Sequence, residues 1–271
     1  MSGVGAGLFL KSGQTFARDG GRIKKVGLQL YTVRKELKED FDGTLRRVAA
    51  VGFREVEFAG YFDRTPRQIK KALSDSGLKS PSAHVDLKTL SGELGKAIDA
   101  AGAVGHRYLV LAYLSPGERQ SADDYRRLAA LLNGAGEACR KAGLRLAYHN
   151  HDFEFETLGG QVPYDLLLRE TDPALVKLEL DLYWISKAGR RPEEYFDKYP
   201  GRFELLHVKD MDAAPRRSFT EVGRGTIDFR RIFGRSGRAG VRHYFVEQDE
   251  TPGPPLASAR ISYEYLRSLR F

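Results

Sequence analysis

Acids, imidazoles and a lysine collect in this chain where apolar runs come to an end. "LELDLYW" (178–184) threads Glu179 and Asp181 between leucines, "LLHVKD" (205–210) closes on His207 and Lys209, and "YFVEQDE" (244–250) carries Glu247 and Gln248. Every second side chain of a strand shares a face, so Glu179, Asp181 and Tyr183 oppose Leu178, Leu180 and Leu182. A carboxylate buried there is costly unless it is paired or bound to a metal. Taken alone, Asp181 reads equally well as a salt-bridge partner or as the N-cap of the segment that follows. With His207 and Glu247 ending the next two apolar runs, the pattern favours a shared divalent cation. Mixed imidazole and carboxylate donors suit Mn, Co, Zn or Mg and argue against Ca.

Such residues need a scaffold that brings them together. Short β-branched or aromatic runs at 26–32, 53–59, 80–86, 107–113, 144–150, 175–181, 203–209 and 242–248 predict eight strands. Helical patterns lie between them. "DFDGTLRRVAAVG" has an aspartate cap and a closing Gly52. "TPRQIKKALSDSG" sets Thr65 as N-cap and Pro66 in the first turn, and "ADDYRRLAALLNGAGEACRKAG" stops at Gly143. Strict alternation implies βαβ units and a parallel sheet, and eight units favour closure into one α/β domain, a (β/α)8 TIM barrel over residues 26–271. An open doubly wound sheet is the competitor, but "QLYTVRKEL" after the first strand has no glycine for a phosphate loop. Barrel chemistry sits at the C-terminal strand ends. There the sequence places Gln29, Tyr31, Glu57, His84, His149, His151, Asp181, His207, Lys209, Glu247 and Gln248. His106 and His243 open their strands at the opposite end.

The composition excludes other classes. The net charge of +8 is spread over mixed-sign helical stretches such as "RKELKED", without the basic, aromatic-interleaved runs of a nucleic-acid face, so no nucleic-acid partner is expected. No stretch approaches the ~18 apolar residues of a membrane span. A lone Cys139 excludes intramolecular disulfides. Residues 1–25 read as a flexible segment. Their short apolar core, Val4 to Leu10, is either a secretory-signal remnant or a frayed tail, which leaves a cytoplasmic and a periplasmic location both open. A homo-oligomer is equally open.

"GLQLYTVR", "GFREVEFAG", "LAYHNHDFEF", "LDLYWISKAG", "LLHVKDMD", "EVGRGTIDF" and "YFVEQDE" together resemble the xylose-isomerase-like barrels, in the branch of sugar phosphate isomerases/epimerases related to inosose dehydratases and 3-keto-sugar enzymes. The resemblance implies one divalent ion held by Glu, Asp, His and Glu from strands five to eight. Asp181, His207 and Glu247 match. The first glutamate does not, because His149 stands there, and either His149 or Glu154 from the following loop completes the set; His149 is favoured. The implied activity is isomerisation or epimerisation of a small-molecule sugar or keto-sugar by proton abstraction beside a carbonyl, through an enediolate. With one glutamate missing, two-base epimerisation is put in doubt. A lyase, dehydratase or hydrolase acting on an inosose or 3-keto-glycoside is then the alternative.

In that scheme Glu247 or Glu154 removes the proton, and His151 and Lys209 return one or stabilise the oxyanion. Glu57 and His84 bind hydroxyls across the pocket, Trp184 and Tyr183 stack on the sugar, and Arg224, between Gly223 and Gly225, meets a phosphate if the substrate has one. A non-catalytic sugar-binding barrel is the rival from another class. An abasic-site endonuclease would need more His and acid ligands, and a basic groove.

Overall fold

The computed structural model describes residues 21–271, so the apolar Val4–Leu10 stretch lies outside the described residues. Eight parallel strands close into a barrel: β1 (Gly27–Gln29), β2 (Glu55–Phe58), β3 (Lys79–Val85), β4 (Tyr108–Leu111), β5 (Arg145–His149), β6 (Val176–Asp181), β7 (Phe203–Val208) and β8 (His243–Val246). Each pairs with its sequence neighbours, and β1 pairs with both β2 and β8 to complete the ring. Every expected strand is present, within a few residues of its expected ends. The largest departure is β1, expected to reach residue 32. The side chain of Gln29 accepts a hydrogen bond from the Tyr31 amide at 3.1 Å and turns the chain into a short 3-10 segment, Leu30–Val33.

The local stop signals act as their chemistry dictates. Thr65 and Gln68 form a reciprocal capping box at the start of helix Pro66–Ser76, which ends where Gly77 takes up a left-handed φ of 68°. Asp40 caps Phe41–Val51 and Asp228 caps Phe229–Gly234.

Alternation along the strands sorts the side chains. Ala147, Leu205 and Phe245 form a buried cluster with Tyr108 and Val110, each two residues before a tip group: His149, His207 and Glu247. The barrel is therefore plugged with apolar side chains below its mouth, as packed barrels are. Register puts Asp181 level with His207, and Glu179 level with His149. At the opposite end, His106 Nδ1 donates to the Ser80 carbonyl at 2.8 Å and His243 pairs with Glu55 at 2.8 Å. Both are set apart from the mouth, as expected. Among the described residues no helix is long and apolar enough to cross a membrane.

Candidate metal centre

Four buried side chains from β5, β6, β7 and the end of β8 converge: His149, Asp181, His207 and Glu247 offer donor atoms that all lie within 4.8 Å of one another. Hydrogen bonds on their far sides fix which atoms face inward. His149 Nδ1 lies 3.2 Å from the Ala112 carbonyl, an acceptor only, so Nδ1 carries the proton. In the neutral ring Nε2 is then bare, and it faces Asp181 Oδ2 at 3.3 Å. His207 Nε2 lies 2.6 Å from Glu57 Oε2 and 3.1 Å from Glu179 Oε2, so it too holds the proton. That leaves His207 Nδ1 as the inward atom, 2.8 Å from Glu247 Oε2 and 3.9 Å from Asp181 Oδ2, yet out of line for a hydrogen bond. Burial opposes charge on His207, but Glu179 and Glu247 hold its ring well above the ordinary imidazole range, and a divalent ion at Nδ1 would take the place of that proton. Two imidazoles and two carboxylates fit a first-row divalent ion, and both rings have the outer hydrogen bonds that orient metal-ligating histidines.

Asp181 meets both sequence readings at once. Its Oδ1 accepts from the Tyr183 and Trp184 amides at 2.9 and 3.0 Å, capping helix Leu182–Lys187, while Oδ2 faces the cluster. Asn150 Oδ1 accepts from the Asp181 amide at 3.0 Å and steadies the tip.

Beneath this cluster lies a second buried layer. Glu57 Oε2 accepts from Gln29 Nε2 at 2.7 Å as well as from His207, and its Oε1 accepts from Ser82 Oγ at 2.5 Å. His84 bridges the two acids, 2.8 Å from Glu179 and 3.2 Å from Glu57. Burial opposes charge on His84, but the two carboxylates outweigh it and lift the ring to about 9. Glu57 was expected to bind substrate hydroxyls; its oxygens are instead spent on Gln29, Ser82, His84 and His207, wholly out of solvent. Glu179 is a member that the sequence reading left without a role, although its parity with Asp181 gave the signal. Because Glu57 orients the His207 ring, Glu57→Gln is expected to weaken divalent-metal affinity about 10–100-fold. Competition with a chromophoric chelator measures this, and unchanged affinity would remove Glu57 from the support of the site.

Lys209, on the inward face two residues after His207, places Nζ 3.1 Å from Asp181, 2.7 Å from Glu247 and 2.8 Å from Asp249. Burial works against its charge, yet the three acids hold it well above the ordinary lysine range. His151 lines the cleft, stacked on Phe153 with ring centroids 5.3 Å apart and 5.4 Å from Trp184. Burial, with His149 and Lys209 nearby, pushes His151 down to about 2, so its ring is neutral. Trp184, expected to stack on the sugar, instead packs against Phe219 with its ring 5.8 Å from Lys209 Nζ, and it does not line the cleft.

Two expectations are corrected. Glu154 does not reach the cluster. Its Oε1 accepts from Tyr148 OH at 2.6 Å and its Oε2 from the His151 amide at 2.7 Å, and Tyr148 lies on the outward face of β5 because its neighbours Ala147 and His149 face inward. Glu154 therefore braces the His151 loop from behind. Arg224 is exposed and paired with Glu221 at 3.6 Å, and it does not line the cleft. The flanking glycines cradle a carboxylate of the chain itself: Gly223 and Gly225 amides donate to Asp210 Oδ2 at 2.9 and 3.0 Å. A Cβ on Gly225 would stand 2.3 Å from Asp210 Oδ1.

Burial raises Glu154 to about 7, against the hydrogen bonds from Tyr148 and His151. A carboxyl raised on folding binds more protons in the native state, so stability is full below the unfolded value near 4.5 and falls as pH rises through about 7. Glu154→Gln can still accept from the His151 amide and donate to Tyr148. It is expected to flatten this slope, gaining up to about 3 kcal/mol over wild type at pH 8, as read from urea midpoints between pH 5 and 8. An unchanged slope would contradict the assignment.

A family profile described as xylose isomerase-like TIM barrel matches residues 45–269. The chain belongs to the xylose isomerase-like TIM barrel family. An inosose dehydratase of Lacticaseibacillus casei is 23% identical over 265 residues, spanning 83% of this chain and 88% of that protein. A solved sugar phosphate isomerase/epimerase from Parabacteroides distasonis ATCC 8503 superposes with a TM-score of 0.79 at 28% identity, covering 95% of this chain and 97% of that one. The IolI protein, solved with a bound zinc atom, superposes with a TM-score of 0.73 over 91% of this chain and 99% of its own, a likeness of fold at 14% identity. The superfamily and branch that the sequence resembles are those found, and this family is one of enzymes.

Proposed function

We propose that this barrel is a divalent-metal-dependent lyase that removes water from a sugar-like ketone, with His149, Asp181, His207 and Glu247 as the metal ligands. The reading rests on the contact between Glu247 and Lys209, a carboxylate and an ammonium 2.7 Å apart at the cluster. Two-base epimerisation asks for a carboxylate on each face of the reacting carbon, and Glu154, the second candidate, is turned away behind Tyr148. Held by these four residues, a divalent ion would supply Lewis-acid stabilisation of the negative charge that develops beside the carbonyl. The residues do the proton work. Glu247 takes the proton from the carbon beside the carbonyl, and the C–H electron pair becomes the new C=C bond. The hydroxyl on the next carbon leaves with its bonding pair, takes a proton from Lys209 and departs as water. Glu247 then hands its proton across to Lys209 and both groups are reset. Positioned acid–base groups contribute about 10²–10⁴-fold each. His151, neutral and lining the cleft, orients hydroxyls.

Isomerisation or epimerisation begins with the same proton abstraction and is the second reading, favoured by the likeness to the Parabacteroides distasonis isomerase/epimerase. Incubation of the metal-loaded protein with inososes, ketoses and 3-keto-glycosides in D2O separates the two. Dehydration yields a conjugated product seen by ultraviolet absorbance and a loss of 18 mass units, about one water per turnover. Deuterium in recovered or isomerised sugar without water loss would replace the lyase by the isomerase. Neither change across the panel would defeat both and leave a sugar-binding barrel.

A further inference from the structure

Three acids surround the Lys209 ammonium, and the metal cluster uses two of them, Asp181 and Glu247. Asp249 is the third. Its Oδ1 accepts from Lys209 Nζ at 2.8 Å, its side chain is 24% exposed, and it lines the cleft with His149, His151, Lys209 and Glu247. Among the described residues no donor reaches Oδ2. A carboxylate oxygen accepts about two hydrogen bonds, so Asp249 meets the cleft with accepting capacity to spare. The turn that carries it is tied down from behind. Arg34 Nη1 donates to the carbonyls of Asp249 and Tyr31 at 3.1 and 2.8 Å, and the Gln248 amide donates to Thr32 Oγ1 at 3.1 Å. These bonds pin the end of β8 to the segment Leu30–Val33 and hold the carboxylate at the cleft in a set position.

Charge decides what such an acceptor binds. With both imidazole ligands neutral, Lys209 and a divalent ion in the cluster carry three positive charges, and Asp181, Glu247 and Asp249 carry three negative ones. The mouth is balanced once the ion is bound. A phosphate dianion would bring two uncompensated charges into this half-enclosed space, a cost that a hydroxyl does not incur. The rest of the lining supplies no counter-charge. Among the described residues no arginine lines the cleft, and His84, which does, is held between Glu57 and Glu179. The remaining charged side chains there, Asp86, Lys88, Glu93, Lys96 and Glu118, are exposed, three acids against two lysines.

We propose that Asp249 is a substrate-binding residue whose free carboxylate oxygen accepts a hydrogen bond from a substrate hydroxyl, and that the substrate is an uncharged polyhydroxy ketone, not its phosphate ester. The proposal rests on the reading that a sugar-like ketone sits over the His149–Glu247 cluster, whether it is then dehydrated or isomerised. With Oδ1 on Lys209 and Oδ2 on the hydroxyl, one side chain aligns the ammonium and the substrate with each other. A hydrogen bond to a charged acceptor of this kind corresponds to about 10–100-fold in affinity.

Calorimetry on the metal-loaded full chain tests this with 2-keto-myo-inositol, D-fructose and D-fructose 6-phosphate. Wild type is expected to bind the better of the two uncharged ketones at least about tenfold more tightly than the phosphate ester. Asp249→Ala should weaken ketone binding about 10–100-fold. Asp249→Asn keeps a hydrogen-bonding group but drops the charge, so it should retain part of the ketone affinity and narrow the margin over the phosphate ester several-fold. Metal stoichiometry should be unchanged in both, because Lys209 keeps Asp181 and Glu247 and the four ligands remain. Fructose 6-phosphate bound by wild type as tightly as the ketones would overturn the uncharged substrate. Ketone affinity unchanged in Asp249→Ala would overturn Asp249 as the acceptor, and loss of metal from either variant would overturn it by assigning Asp249 to the ion. A wild type that holds its metal and binds none of the three would overturn the ketone over the cluster, and the proposal with it.

Discussion

Asp181→Asn is expected to lower divalent-metal affinity at least about 100-fold and to abolish turnover, while the metal-free protein still folds with the cap of helix Leu182–Lys187 intact. The two oxygens of Asp181 do separate jobs, and asparagine preserves the capping one while losing the charge that Oδ2 presents to Lys209 at 3.1 Å. Its Oδ1 can still accept from the Tyr183 and Trp184 amides, since asparagine is as good an N-cap as aspartate. At the other position an NH2 group replaces the oxygen that faces His149 Nε2 at 3.3 Å. It donates to that lone pair and removes the anionic donor. Asp181→Ala forfeits both jobs, so it should lose the metal and about 0.5–2 kcal/mol of stability besides. Metal content by mass spectrometry together with thermal unfolding separates the variants. Retention of metal in Asp181→Asn would show that Oδ2 is no ligand.

Lys209→Met is expected to reduce turnover by about 10²–10⁴-fold and to make stability strongly metal-dependent. The ammonium lies within 3.1 Å of Asp181, Glu247 and Asp249 and is almost wholly buried. Its removal leaves three neighbouring acids without their cation, a change that costs about 3–5 kcal/mol when one member of a buried pair is deleted. A divalent ion among His149, Asp181, His207 and Glu247 restores positive charge at that point. The rise in melting temperature on adding Mn²⁺ or Zn²⁺ should therefore be larger in Lys209→Met than in wild type. Equal rises would mean that Lys209 and the ion do not share the field of these carboxylates.

What could be read from the sequence follows from where periodicity operates. Within strands the two-residue repeat fixes the face of each side chain, so His84, His149, Asp181, His207 and Glu247 were assignable to the barrel interior before any coordinates. The helix caps at Asp40 and Thr65 were readable for a similar reason, because capping is a local hydrogen bond between neighbours. Beyond the strand ends the repeat lapses. Glu154 and Arg224 lie in loops whose course is set by partners such as Tyr148 and Glu221, and nothing in the order of residues marks those pairings. The support of His207 by Glu57 spans 150 positions and arises only when the ring closes. Glu179 shares the face of Asp181 but sits two residues below the strand tip, where its pairing with His84 and His207 also arises only on closure.

The most direct measurement is anomalous diffraction from crystals grown with Mn²⁺ or Zn²⁺, with data collected on either side of the absorption edge. The account predicts one strong peak about 2.0–2.3 Å from His149 Nε2, Asp181 Oδ2, His207 Nδ1 and a carboxylate oxygen of Glu247. A strongest peak elsewhere, or a mouth without a peak at millimolar metal, would contradict it.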